Sequence, residues 1–137
     1  MKKLILSISI TLLLLLVSCG ESPTSYLKRY MKKSIVIHQD LINALKKPKS
    51  SKIVAVAITR YAQKNLELTR EGEKMRKKFS SEPDLSKPDV AMTALIKKSQ
   101  SVMRKSQLAL QSLAKKYFES KEVQKAFRLL STVGRAK

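Results

Sequence analysis

Cysteine is almost absent: Cys19 stands alone in 137 residues, so no disulfide can form within the chain. Histidine is as scarce, with only His38. Three glycines and four prolines argue against long irregular stretches. There is no tryptophan, no glycine-rich phosphate loop and no Cys-x-x-Cys-His motif. Negative charge is short as well. Ten Asp and Glu face 29 Lys and Arg, a net charge of +19. Such an excess speaks to partners rather than to fold, and it favours anionic ones. The length suits one domain with one modest core. No internal repeat at a fixed period is visible.

The apolar residues are not evenly spread. Met1-Lys2-Lys3 opens the chain, and Leu4 to Val17 is apolar apart from Ser7, Ser9 and Thr11. Ser18 then precedes Cys19. A basic start, an apolar core and a small residue at the cut are the layout of a signal peptide. The run is too short for a spanning helix, which needs about 20 residues. Leu16-Val17-Ser18-Cys19 resembles the lipobox of bacterial lipoproteins, a match confined to residues 1–20. The resemblance implies a diacylglyceryl thioether on Cys19, cleavage before it and acylation of the new amine, with palmitate-type chains. Two or more acyl chains hold a protein on a membrane durably. The expected organisation is a signal peptide (1–18), a lipidated tether (19–25) and a helical domain (26–137). Cleavage would leave 119 residues with 27 basic and 10 acidic side chains, a net charge of +17. The expected location is the bacterial cell envelope. By resemblance to enteric lipoproteins, Gly20 in place of aspartate after the cysteine favours the outer over the inner membrane.

Beyond the tether, apolar residues recur with the helical period. The pattern predicts helices over about Tyr26–Lys47, Lys52–Phe79, Pro88–Phe118 and Lys121–Val133. Ile53 to Thr59 is β-branched enough to suggest a strand, but its apolar stripe continues in phase and favours helix. Ser50 or Ser51 suits an N-cap, Pro88 and Asp89 suit a first helical turn, and Ser120 with Glu122 suits a fresh start. Short links predict an all-α, up-and-down antiparallel bundle of three long helices and one shorter one.

His38 falls near the centre of the first apolar stripe, and Asn65 falls within the second. If the first two helices pair around Pro48, facing numbers sum to about 97. His38 then meets Tyr61, and Tyr30 meets Asn65. Buried polar groups need partners, so both are read as contacts that fix helix register. The alternatives are a pH-responsive latch and a haem or metal ligand, with Met31, Met75, Met92 or Met103 as the second ligand. Gly72, Ser99 and Ser106 lie mid-stripe, which suggests either close helix approach or a groove for an acyl chain or small ligand. With its one histidine on an apolar face and its cysteine lipidated, the chain is read as non-enzymatic and without a cofactor.

The basic residues divide between two poles of the expected bundle. Lys28, Arg29, Lys32, Lys33, Lys74, Arg76, Lys77 and Lys78 belong to the tethered pole, with Lys87 across the loop. Lys46, Lys47, Lys49, Lys52, Lys115, Lys116, Lys121 and Lys125 belong to the far pole. Both sets are candidate sites for an anionic partner: lipid headgroups, lipopolysaccharide or an acidic polysaccharide of envelope or host. Solvated faces that keep a small bundle soluble are the plainer alternative. Val56, Leu66, Val90, Leu108 and Phe118 lie off the stripes. They would form a protein-docking patch or, more simply, bury against the fourth helix. The charge alone would permit nucleic acid, and the export signal argues against it.

Overall fold

The computed structural model describes residues 20–47, 50–79 and 87–135. Residues 1–18, expected as a signal peptide, lie outside the described residues, as do Cys19, Lys49 and residues 80–86. Those residues form four helices and no strand: α1 (Pro23–Leu45), α2 (Ser51–Lys78), α3 (Val90–Lys116) and α4 (Lys121–Arg135). The protein is an all-α helical bundle.

The helix ends follow local side-chain chemistry. α1 begins at Pro23, earlier than the Tyr26 expected from the stripe, because Ser22 caps it by accepting a bond from the Ser25 N–H at 3.1 Å. Proline at the first position needs no donor and presets φ, so the pentad expected as tether is largely helix. Ser50 caps α2. Asp89, expected inside α3, instead caps it through the Met92 N–H at 2.6 Å, leaving Pro88 outside. Ser120 accepts from the Val123 N–H at 3.4 Å at the start of α4, which runs on through Gly134 to Arg135. The β-branched opening of α2 is helical throughout.

The helices alternate in direction along the chain, yet their neighbours are not all antiparallel. α1 packs against both α2 and α3, and α4 packs against α2. α1 and α3 therefore run parallel as neighbours, as do α2 and α4. Tertiary packing, not link length, selects these pairs. The largest buried cluster joins Leu41, Leu45, Val54, Ile58, Leu113, Val123 and Ala126 at the pole where α4 begins. Burying such side chains stabilises by about 1.5–3 kcal/mol each for Val, Leu or Ile. The other pole is closed by Tyr26, whose hydroxyl donates to the Glu71 carbonyl at 3.0 Å and whose ring meets Phe79 edge-on at 6.0 Å.

The fourth helix covers Val54, Ala55 and Ile58 with Val123 and Ala126. It does not cover the off-stripe residues. Val56, Val90, Leu108 and Phe118 are all exposed, and only Leu66 is half-buried. Nor do these residues make one patch, since Val90 opens α3 at one pole and Phe118 follows its end at the other.

Candidate functional site

His38 is buried, and it joins three helices. Its Nδ1 lies 2.8 Å from the Ser106 hydroxyl of α3 and 3.0 Å from the Tyr61 hydroxyl of α2. Ser106 is fully buried and donates its proton to the Met103 carbonyl at 2.8 Å. With that proton committed, the 2.8 Å contact makes His38 Nδ1–H the donor and the Ser106 oxygen the acceptor, and the Tyr61 oxygen stands within reach of the same proton. Burial holds the imidazole below its ordinary value of 6.5, so the ring is neutral near pH 7. Burial also raises the Tyr61 hydroxyl above its ordinary value of 10.0, offset in part by the polar side chains of Asn65 and Ser106 beside it.

The expected His38–Tyr61 contact is therefore present. The other expected pair is not. Tyr30 lies against Gly72, where an added Cβ would stand 3.3 Å from the ring, and half-buried Asn65 donates to the Tyr61 carbonyl at 2.9 Å. Facing numbers sum to 99 for His38 and Tyr61 and to 102 for Tyr30 and Gly72, not 97. Gly72 makes room for a tyrosine ring rather than for a backbone.

Ser106 is the partner that helical periodicity cannot supply, because it sits 68 residues from His38. A serine hydroxyl at hydrogen-bond distance from an imidazole resembles a nucleophile–base pair. Here the serine is closed to solvent and its proton is engaged elsewhere, so the arrangement ties helices together. The same contacts occupy Nδ1, and Met103, a possible second metal ligand, is exposed. Among the described residues no three His, Cys, Asp or Glu side chains come together as a metal site. None of the described helices is long and apolar enough to cross a membrane.

Comparison with known proteins finds no matching family model, no matching curated protein and no matching solved structure.

The basic side chains assigned to the two poles lie on the outside, all exposed among those described except half-buried Lys28. The two poles treat them differently. At the pole where α1 begins, Lys28 pairs with Asp89 at 2.6 Å, Arg29 with Glu21 at 3.0 Å and Lys33 with Glu71 at 2.7 Å. Lys28 and the Met92 N–H hold the Asp89 carboxyl below its ordinary range. Lys32, Lys74, Arg76, Lys77 and Lys78 stand beside them without a carboxylate within 4 Å among the described residues. At the opposite pole none of Lys46, Lys47, Lys52, Lys115, Lys116, Lys121 and Lys125 makes an ion pair with a described residue. The only carboxylates there, Glu119 and Glu122, leave a net of five positive charges among the described side chains. Glu122 is lowered first by the Ser120 hydroxyl and only weakly by the charge of Lys52.

A second feature runs along the outer face of α1 and α2, opposite α3 and α4. Two adjoining grooves of about 470 Å³ each share Ile37 and Lys64. Their floor includes Val36, Ile53 and Val56, all about half exposed, and Lys64 bridges to Asp40 at 2.8 Å across the seam.

Proposed function

We propose that this is a non-enzymatic, lipid-anchored envelope lipoprotein whose basic bundle binds an anionic partner: lipid headgroups, lipopolysaccharide or an acidic polysaccharide. The observation that carries the reading is the unpaired, net-positive lysine cluster at the pole where α4 begins. Seven exposed ammonium groups with no ion pair to a described residue keep their charge available to an external anion. The lipobox resemblance supplies the anchor, with Cys19 as the lipidated residue and the outer membrane favoured. The first helix begins at Pro23, so the bundle sits close to the bilayer that holds it.

The test is binding of a Gly20–Lys137 fragment, which carries all four helices, to anionic and neutral vesicles, lipopolysaccharide and acidic polysaccharide across a salt series. Selective binding that falls steeply with salt is expected. No binding to any of these at low salt defeats the reading. Mass of the mature chain, with acyl groups on Cys19, tests the anchor separately.

A second reading, a protein-docking module, is supported by the α1–α2 groove. An apolar-floored groove with charged walls is a surface on which an amphipathic helix can lay its apolar face. Binding through it would persist in high salt and be lost on Val56→Asp.

A further inference from the structure

We infer that Phe118 and the lysines around it form a tip that docks on an anionic phospholipid bilayer facing the one that holds the N-terminal side of the chain. The inference rests on the anionic-partner reading and narrows it to one partner at one pole.

Phe118 is 74% exposed and lies in the turn between α3 and α4, at the extremity of the bundle. Lys115 and Lys116 precede it, and Lys121 and Lys125 follow, with Glu119 and Glu122 among them, so this stretch keeps a net of two positive charges, to which Lys46, Lys47 and Lys52 at the same pole add three. A lone exposed apolar side chain needs no explanation. A phenyl ring at the apex of a net-positive pole is a different arrangement, because an acidic sugar polymer would engage the lysines and offer the ring at most one sugar face, without removing it from water. An anionic bilayer engages both, headgroups with ammonium groups and acyl chains with the ring.

The turn that carries the ring is also held in place. The Gln124 Nε2 donates to the Phe118 carbonyl at 2.7 Å, and the Ser120 N–H donates to the Tyr117 carbonyl at 3.0 Å. Phe118 itself lines a notch of about 530 Å³ whose apolar side is Ala114, Tyr117, Val123 and Phe127 and whose polar edge includes Gln124 and Arg128. The notch extends the apolar surface that would meet the acyl region.

The tip lies at the far end of the bundle from the N-terminal side. The 28 residues of α2 run from this pole to the pole where α1 begins. At 1.5 Å per residue they span about 40 Å. The tip therefore points away from the anchored side.

The test uses the full chain, reconstituted through its N-terminal segment into neutral vesicles and mixed with protein-free vesicles containing anionic phospholipid. Clustering is read by light scattering across a salt series. The chain has no tryptophan, so Phe118→Trp gives a single reporter of depth. Salt-sensitive clustering is expected, with a blue shift of indole emission on docking. Phe118→Ser should weaken clustering about tenfold, and Lys→Gln at 115, 116, 121 and 125 together should weaken it a hundredfold or more, on the order set by charge–surface attraction. Circular dichroism checks that each variant keeps its helices. Clustering with unshifted emission from the Phe118→Trp chain and no loss in Phe118→Ser overturns the tip and leaves the anionic-partner reading standing. So does binding of the Gly20–Lys137 fragment to lipopolysaccharide or polysaccharide but not to anionic vesicles. Failure to bind any anionic surface defeats both.

Discussion

His38 Nδ1 stands 2.8 Å from the Ser106 hydroxyl, and this contact ties the first helix to the third across 68 residues of sequence. Tyr61 adds the second helix. Buried His38 thus has both a serine and a tyrosine oxygen at hydrogen-bond distance, one from each neighbouring helix.

The sign of the pH dependence follows. Burial lowers the His38 pKa below 6.5 in the folded state. Above pH 6.5 the ring is neutral whether folded or unfolded, and stability is unaffected. Below it the unfolded chain binds the proton first, so stability falls until pH passes the lowered folded value. Thermal melts from pH 8 to pH 5 should show this decline. His38→Gln should flatten it, because His38 is the chain's only histidine. A decline of equal slope in that variant would assign the effect elsewhere.

The three buried polar side chains should not contribute additively. Ser106→Ala removes one of the two oxygens at His38 Nδ1, leaves the Tyr61 hydroxyl at 3.0 Å, and should destabilise by about 1 kcal/mol. The triple change His38→Leu, Tyr61→Phe and Ser106→Ala leaves nothing unpaired there. Its cost in urea unfolding should be smaller than the sum of the three single changes.

Much of this is legible in the sequence, and the limits are instructive. Periodicity finds all four helices, and a register about Pro48 brings His38 to Tyr61. Periodicity within a helix carries no information about which helix lies opposite, so Ser106 is visible as a mid-stripe oddity but not as a partner. The same limit hides the parallel pairing of α1 with α3. The helix starts at Pro23 and Asp89 are misread, because a proline suits a tether as well as a first turn. Off-stripe residues such as Phe118 are expected under α4, yet α4 has only 15 residues and spends its apolar face on α2.

Gly72 offers a two-sided test. Alanine in mid-helix gains roughly 1 kcal/mol over glycine. At this position the new Cβ meets the Tyr30 ring at 3.3 Å, which offsets the gain. In a Tyr30→Ala background the obstruction is gone, so Gly72→Ala should stabilise by more there than in the natural chain. Equal effects in both backgrounds, read from paired melts, would remove the contact from the account.

The weight of the core lies at the pole of α4. Ile58 is completely buried among Leu41, Val54, Val123 and their neighbours, so Ile58→Ala should cost about 2–5 kcal/mol. Val90, 88% exposed at the start of α3, should tolerate alanine within about 0.5 kcal/mol. Denaturant midpoints at unchanged slope would check both.

α3 passes over its chain neighbour to lie on α1, and this choice orders the making of the fold. The first two helices can meet around a short turn, at little cost in loop entropy. The third finds its place only after the chain has closed a loop that contains all of α2. The contact between the first two helices is therefore the cheaper one in loop entropy, and the surface of α1 that α3 covers belongs to that hairpin.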